Sequence, residues 1–254
     1  VFFCTFWRKT EKLATPGTFL KSFITATPAD LQSEEAQNLH GQIQRFPEEA
    51  VYVYSFVQKR MIYANGWEEV MGYKDEEINL PIVLFSTCEE YAPFSVELNE
   101  KALKFILNKT EELEKYSFTM ELKKLHKNGT PVPMISKVGV FSAQDGQVTA
   151  IIGRFQVMRS LKFGKVMRYA AYGPEKTSFE EELNRQLFQH YAISGKEKEA
   201  LSLVAKGYSF KEIAQEFQVT PSAIEKRIIP MYKRFEVRSL THLISFAYDN
   251  HILD

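Results

Sequence analysis

The sequence predicts an α+β fold in which an antiparallel sheet with helices is followed by an all-α four-helix unit. Three observations carry this expectation. Between about Phe46 and Leu161, short aromatic and β-branched runs are separated by tight-turn pairs. From Ser194 onward the apolar period changes to that of short amphipathic helices. A length of 254 residues exceeds one comfortable small core and fits two ordinary domains. With 44% hydrophobic and 13% aromatic residues, the chain can bury a sizeable core, which excludes a disordered protein.

The expected order is an N-terminal helical extension over residues 1–45, an α+β sheet domain over 46–161, a connector over 162–192 and an all-α helical domain over 193–254. In the extension, Ser33 to Phe46 reads as an amphipathic helix. The opening VFFCTFW is apolar but seven residues long, and it is expected to be a buried terminal strand; no stretch is long enough to span a bilayer. Cys4 and Cys88 stand far apart without a CxxC, and His40, His126, His190, His242 and His251 are scattered. Neither pattern makes a zinc site, and the scarcity of cysteine fits a reducing, cytoplasmic setting.

In the second segment, AVYVYSF and RMIYA read as two strands, with helix-like stretches at Gly66 to Met71 and Pro93 to Lys109. Three more strands are expected over Tyr116 to Leu125, Pro131 to Ser142 and Val148 to Arg159. Asn128-Gly129 and Asp145-Gly146 supply positive φ between them, so these three should form an antiparallel meander. This order, with ANGWEEVMGYKDEEI (Asn65, Gly72 and Tyr73 within it) and LKKLHKNGTPVP, resembles the PAS fold. The resemblance implies a small-molecule pocket between sheet and helices, or dimerisation. Tyr52, Tyr54, Phe85, Phe105, Phe118, Phe141 and Phe155 are the inward candidates; by pattern alone they are equally the ordinary core of such a domain. The cofactor is unknown, because no flavin, haem or metal signature is present: Cys88 stands in STCEEY, and His126 sits at a strand end beside a hairpin. No phosphate-cradling loop or nucleophile elbow is present either, so the chain is not expected to be an enzyme. The connector contains Gly164, Gly173 and Pro174 and then a charged helix from Ser178 to about Tyr191, with Phe179, Leu183 and Leu187 along one face.

Lys plus Arg and Asp plus Glu both number 32, so any basic footprint must be local. In the last segment, KEKEALSLVAKG is capped by Ser194 and stopped at Gly207, and SFKEIAQEF carries the Ser209–Glu212 capping box. Gln218 to Thr220 then lead, with Thr220 as cap and Pro221 in the first turn, into a helix whose Ile224, Ile228, Met231 and Phe235 must face inward. This is a tight helix-turn-helix. Between 225 and 238, Lys226, Arg227, Lys233, Arg234 and Arg238 outnumber Glu225 and Glu236 by three. A basic helix face is often merely solvated; one with this placement also fits the major groove.

The segments AKGYSFKEIAQEF, VTPSAIEKRI and RFEV, behind the Glu-x-Glu of Glu197 and Glu199, resemble the LuxR or GerE type of helix-turn-helix domain from Glu197 to Leu253. The resemblance implies double-stranded DNA as partner, held by Lys211 and the exposed face of the third helix, and a homodimer paired through the fourth helix, about Ser239 to Asp249. By position, Glu225, Lys226 and Ile229 are base-reading candidates, and Lys211, Ser222 and Lys233 phosphate candidates; Thr220 and Arg227 complete the expected DNA-binding set. Where the family usually shows Thr-Val-Lys-x-His, this chain has Ala223, Ile224, Glu225, Lys226 and Arg227, so its base preference should differ. Pro230 removes the bond to the carbonyl of Lys226 and should cost roughly 3 kcal/mol or kink the helix. Glu236 and Leu240 replace the usual Gly and Arg near Val237. The leading expectation is a transcription regulator whose sensor controls a dimeric reader; the alternative, motivated by Glu225 and Pro230, is a ligand-binding or protein-interaction module that no longer contacts DNA.

Overall fold

Two-residue periodicity organises the first part of the computed structural model, which describes residues 21–159, 166–180, 192–250 and 252–253. The expected terminal strand with Cys4, and the connector positions Leu183 and Leu187, lie outside these residues. Strands β1 (Glu49–Ser55) and β2 (Arg60–Asn65) pair antiparallel, as do β3 (Ser117–Leu125), β4 (Pro131–Gln144) and β5 (Gln147–Val157) in the expected meander. Asp145 and Gly146 both take positive φ, 52° and 72°, the two-residue turn whose twist matches the strands it joins. β1 closes onto β5, so these five strands run in the order β2-β1-β5-β4-β3, with helices inserted between β2 and β3, as expected of a PAS-like domain.

The helices α2 (Trp67–Met71), α3 (Leu80–Phe85) and α4 (Ala92–Leu107) pack on one face of the sheet, and α1 (Glu34–Gln42), capped by Ser33, packs on the other through Leu39 and Ile43. Asp75 fixes the start of α2, its carboxylate accepting from the amides of Gly66 (3.2 Å) and Trp67 (2.7 Å). Trp67 in turn donates from Nε1 to the Val51 carbonyl at 3.0 Å, which locks α2 to β1. One cross-strand row joins Tyr52, Gly153, Val138, Phe118 and Ala171. Only glycine fits at 153, because a Cβ there would lie 2.0 Å from Cε1 of the Tyr52 ring.

The sheet does not stop at residue 161. Strand β6 (Met167–Tyr172) pairs antiparallel with β3, and β7 (Ala192–Ser194) pairs parallel with β6, giving seven strands in all among the described residues. The expected connector therefore supplies two strands. Met167, Tyr169 and Ala171 alternate inward, while Arg168, Ala170 and Tyr172 do not. Helical geometry in this segment begins at 176 and is described to 180.

Ser194 ends β7 and also caps α5 (Gly195–Ala205), with Glu197 closing the capping box. Two other helices begin on the expected caps, α6 (Phe210–Glu216) on Ser209 and α7 (Pro221–Arg234) on Thr220, and α8 (Leu240–Asp249) is capped by Ser239. Leu201, Ile213, Ile224, Ile228, Met231, Leu243 and Ala247 are wholly buried between them. Val166 and Ile193, from the sheet edge, join the same core. Pro230 does not break α7, which runs through it without interruption. Replacing Gly153 by alanine should lower stability by about 1–3 kcal/mol, as overpacking does. A urea midpoint unchanged from wild type would show that the Tyr52 ring moves aside freely.

Candidate nucleic-acid interface

The turn between α6 and α7 is closed by backbone bonds, from the Gln218 amide to the Gln215 carbonyl (3.1 Å) and from the Val219 amide to that of Ala214 (2.9 Å). Gln218 takes φ 53°, and Val219 packs on the helical core. Thr220 Oγ1 accepts the Ala223 amide at 3.3 Å. With its apolar stripe committed inward, α7 exposes Ser222, Glu225, Lys226, Ile229 and Lys233; Lys211 is exposed on α6. Ile229 is 49% exposed, one of the few large apolar side chains left in solvent. Among the described residues, the side chains of Lys211, Ser222, Glu225, Lys226 and Lys233 make no hydrogen bond or ion pair. The helix explains why: three and four residues beyond Glu225 stand Ile228 and Ile229, and beyond Lys226 stand Ile229 and Pro230, so neither charge meets an opposite one.

Two basic residues counted in the sequence footprint are held otherwise. Arg227 is half-buried, its guanidinium 5.6 Å from the centroid of the Phe217 ring. Arg234 is buried, with Nη1 and Nη2 each 3.0 Å from an oxygen of Glu197. This takes one positive charge out of the exposed set and ties the end of α7 to the start of α5. The same Glu197 carboxylate accepts from the amide (2.9 Å) and hydroxyl (3.1 Å) of Ser194. Sequence reasoning missed the pair because its members stand 37 residues apart.

The family model described as bacterial regulatory proteins, luxR family, matches residues 192–247. These residues belong to the LuxR family. The family is one of bacterial regulatory proteins. Solved structures similar to the chain include the Vibrio cholerae VqmA dimer without target DNA, at 16% identity over 87% of this chain and 89% of that one, TM-score 0.36. A phage VqmA in complex with DPO shares 16% identity over 85% of this chain and 87% of its own, TM-score 0.34. A PAS domain from Colwellia psychrerythraea shares 16% identity over 49% of this chain and 98% of its own, TM-score 0.37. No curated protein sequence matches significantly.

Ahead of the LuxR-type domain, six of the seven aromatic pocket candidates lie in or against one core cluster, and Phe141 does not. Tyr52 and Phe155 stack at 6.0 Å between centroids and meet Trp67 at 6.4 and 5.4 Å. Burial pushes the Tyr52 hydroxyl well above its ordinary pKa. Phe118 is buried in the same core, and Phe85 packs partly buried against it. Tyr54 donates from its hydroxyl to the Phe23 carbonyl and packs edge-on to Phe56. Phe105 lies with Phe179, 4.6 Å between centroids, near the β6 edge. Phe141 is a correction: it packs on the opposite face, with the cluster under α1. It shares strand parity with Lys137 and Gly139, whereas Met134, Ser136 and Val138 face inward.

The same parity brings in a residue the sequence reading passed over. Lys124 follows Phe118, Met120 and Leu122 on the inward side of β3 and is 2% exposed. Its Nζ donates to the Val83 carbonyl (2.5 Å) and Thr87 Oγ1 (3.1 Å) and lies 5.1 Å from the centroid of Phe155. Burial pulls its pKa down to about 7, against an opposing effect of Cys88. Buried nearby in sequence and register, the Ser86 and Ser136 hydroxyls have no hydrogen-bond partner among the described residues. Burial likewise pushes the Cys88 thiol up to about 11. Among the described residues no three His, Cys, Asp or Glu side chains come together as a metal site, and no helix is long and apolar enough to cross a membrane.

Arg234→Ala should destabilise the LuxR-type domain by about 3–5 kcal/mol, since it strands a buried carboxylate, while Lys233→Ala next to it should stay within about 0.5 kcal/mol; equal shifts in urea midpoint would contradict the anchoring role. For Lys124, the folded pKa of about 7 lies below the unfolded value, near 10.4, so the unfolded chain binds the extra proton between them. Stability from this group is complete above the unfolded value and is lost as pH falls toward 7. Wild type should therefore lose stability relative to Lys124→Met between about pH 10 and pH 7 and level off below. Parallel melting curves across that range would refute it.

Proposed function

We propose that the chain is a cytoplasmic transcription regulator in which the PAS-like sheet domain governs how a dimeric LuxR-type reader is presented to DNA. The observation that carries this reading is the uncommitted face of α7 with Lys211 beside it: cationic, hydroxyl and apolar groups stand exposed on one helix with no partner among the described residues. A helix so furnished meets base edges with its N-terminal turns and phosphates with its flanking lysines. Lys211, Ser222 and Lys233 take the phosphate roles, Glu225, Lys226 and Ile229 the base roles. Thr220 caps and Arg227 stacks, so both support the face from beneath. A single short helix reads few bases, and two copies spaced by one helical turn of DNA supply affinity and specificity; α8, with Tyr248 47% exposed, is the pairing surface the family implies.

The signal enters through a small molecule in the aromatic core. Tyr52, Trp67 and Phe155 supply flat apolar contact, and Lys124, an amine buried without a carboxylate among the described residues, supplies the polar anchor for a ligand bearing a hydrogen-bond acceptor. The other reading, an interaction module that has left DNA, is favoured by Glu225, a carboxylate on the face that would meet phosphates. The two separate in one titration. A DNA reader binds duplex with log affinity falling steeply with log salt, by about 0.9 per phosphate contact. Lys211→Ala with Lys226→Ala should weaken binding at least tenfold and flatten that slope by about one contact for each phosphate-facing lysine removed. Salt-independent or mutation-insensitive binding would favour the interaction module.

A further inference from the structure

We infer that α7 specifies C·G pairs in its half-site, Glu225 accepting from the cytosine amine and Lys226 donating to guanine, with Ile229 against a thymine methyl; this rests on the DNA-reading function proposed above. The three residues form one patch in the first turns of α7, since 225 and 229 lie one helical turn apart and 226 adjoins both. Of the other charged candidates, Lys211 and Lys233 take the phosphate roles proposed above, Arg227 lies against Phe217, and Arg234 is buried on Glu197. What remains is an acceptor, a donor and an apolar surface, each exposed and each without a partner among the described residues.

The chemistry of base edges then narrows the choice. An ionised carboxylate only accepts, and in the major groove only the cytosine N4 and adenine N6 amines donate. Adenine sets its N7 acceptor beside N6 and repels the second carboxylate oxygen; cytosine presents no acceptor in the groove. Guanine and thymine offer Glu225 acceptors alone, so they are rejected by repulsion as well as by a missing bond. Lys226 only donates and meets its match in guanine O6 and N7. Ile229, half exposed at the edge of the patch, gains contact only where a methyl projects, which in DNA is thymine. Glu225 is thus a specificity-determining residue that weakens binding to general DNA and restores it at cytosine.

The test is selection of bound duplexes from a random pool by the full chain and by Glu225→Gln and Glu225→Ala. The wild-type half-site should hold one position as cytosine by about tenfold over the other bases. Glu225→Gln should move that position to adenine, because a carboxamide both accepts from N6 and donates to N7. Glu225→Ala should leave it unbiased while binding general DNA at least as tightly as wild type. Replacing that cytosine with a base lacking the N4 amine should cost wild type about the same tenfold and leave Glu225→Ala indifferent. A half-site whose every preference survives both substitutions overturns the inference but leaves DNA reading standing, as does sequence-blind binding by wild type. Failure of wild type to bind any duplex removes both.

Discussion

The carboxylate of Glu197 is the joint on which the C-terminal half of the molecule depends. One oxygen accepts three donors, the Ser194 amide and hydroxyl and one Arg234 nitrogen; the other accepts the second Arg234 nitrogen. A buried charge pair gives little net stability over apolar packing, but it punishes any arrangement that separates its members. Here the pair joins the first helix to the last turn of the reading helix, and Ser194 at the sheet edge donates to the same carboxylate. Tyr169, whose hydroxyl burial and the Glu197 carboxylate both push up in pKa, stands on β6 directly opposite Ser194. Lys196 adds an outer tie to Thr177 (3.2 Å) and Glu180 (3.9 Å). The exposed face of α7 is therefore aimed by contacts on its hidden side.

A single row of the sheet runs from the aromatic core to this joint: Ala50, Phe155, Ser136, Met120, Tyr169 and Ser194 lie abreast on neighbouring strands. Phe155, next to the Ala50 end, carries Lys124 over its ring, and Ser194 at the other end caps the first helix of the reader. Ser136 contributes a small hydroxyl among large side chains, so the row has both a space-filling end and a polar interruption. Packed rows of this kind change by discrete repacking rather than by gradual strain.

What the sequence made legible was local. Ser209 with Glu212, Thr220 before Pro221, and Asp145-Gly146 each act within four residues, so residue types alone fixed where helices start and strands turn. Strand positions were found by composition, but the face of each residue depended on parity, which is why Phe141 was expected inside and Lys124 went unnoticed. β6 and β7 are short, and their pairing partners lie far along the chain, so their strand signal was outweighed by the Gly and Pro around them. The exposed candidates on α7 were readable because an amphipathic helix announces both of its faces. Arg234 was not, because the period that put it beside the apolar stripe could not reveal the carboxylate waiting there.

Ser194 is at once the last residue of a strand and the cap of a helix, with no residue between the two roles. A joint of that kind has no slack. Sliding β7 by one position along β6 would carry the helix start about 3.3 Å and turn the capping side chain to the opposite side of the sheet. Strand and helix share that one residue, so the register of the first sets the start of the second.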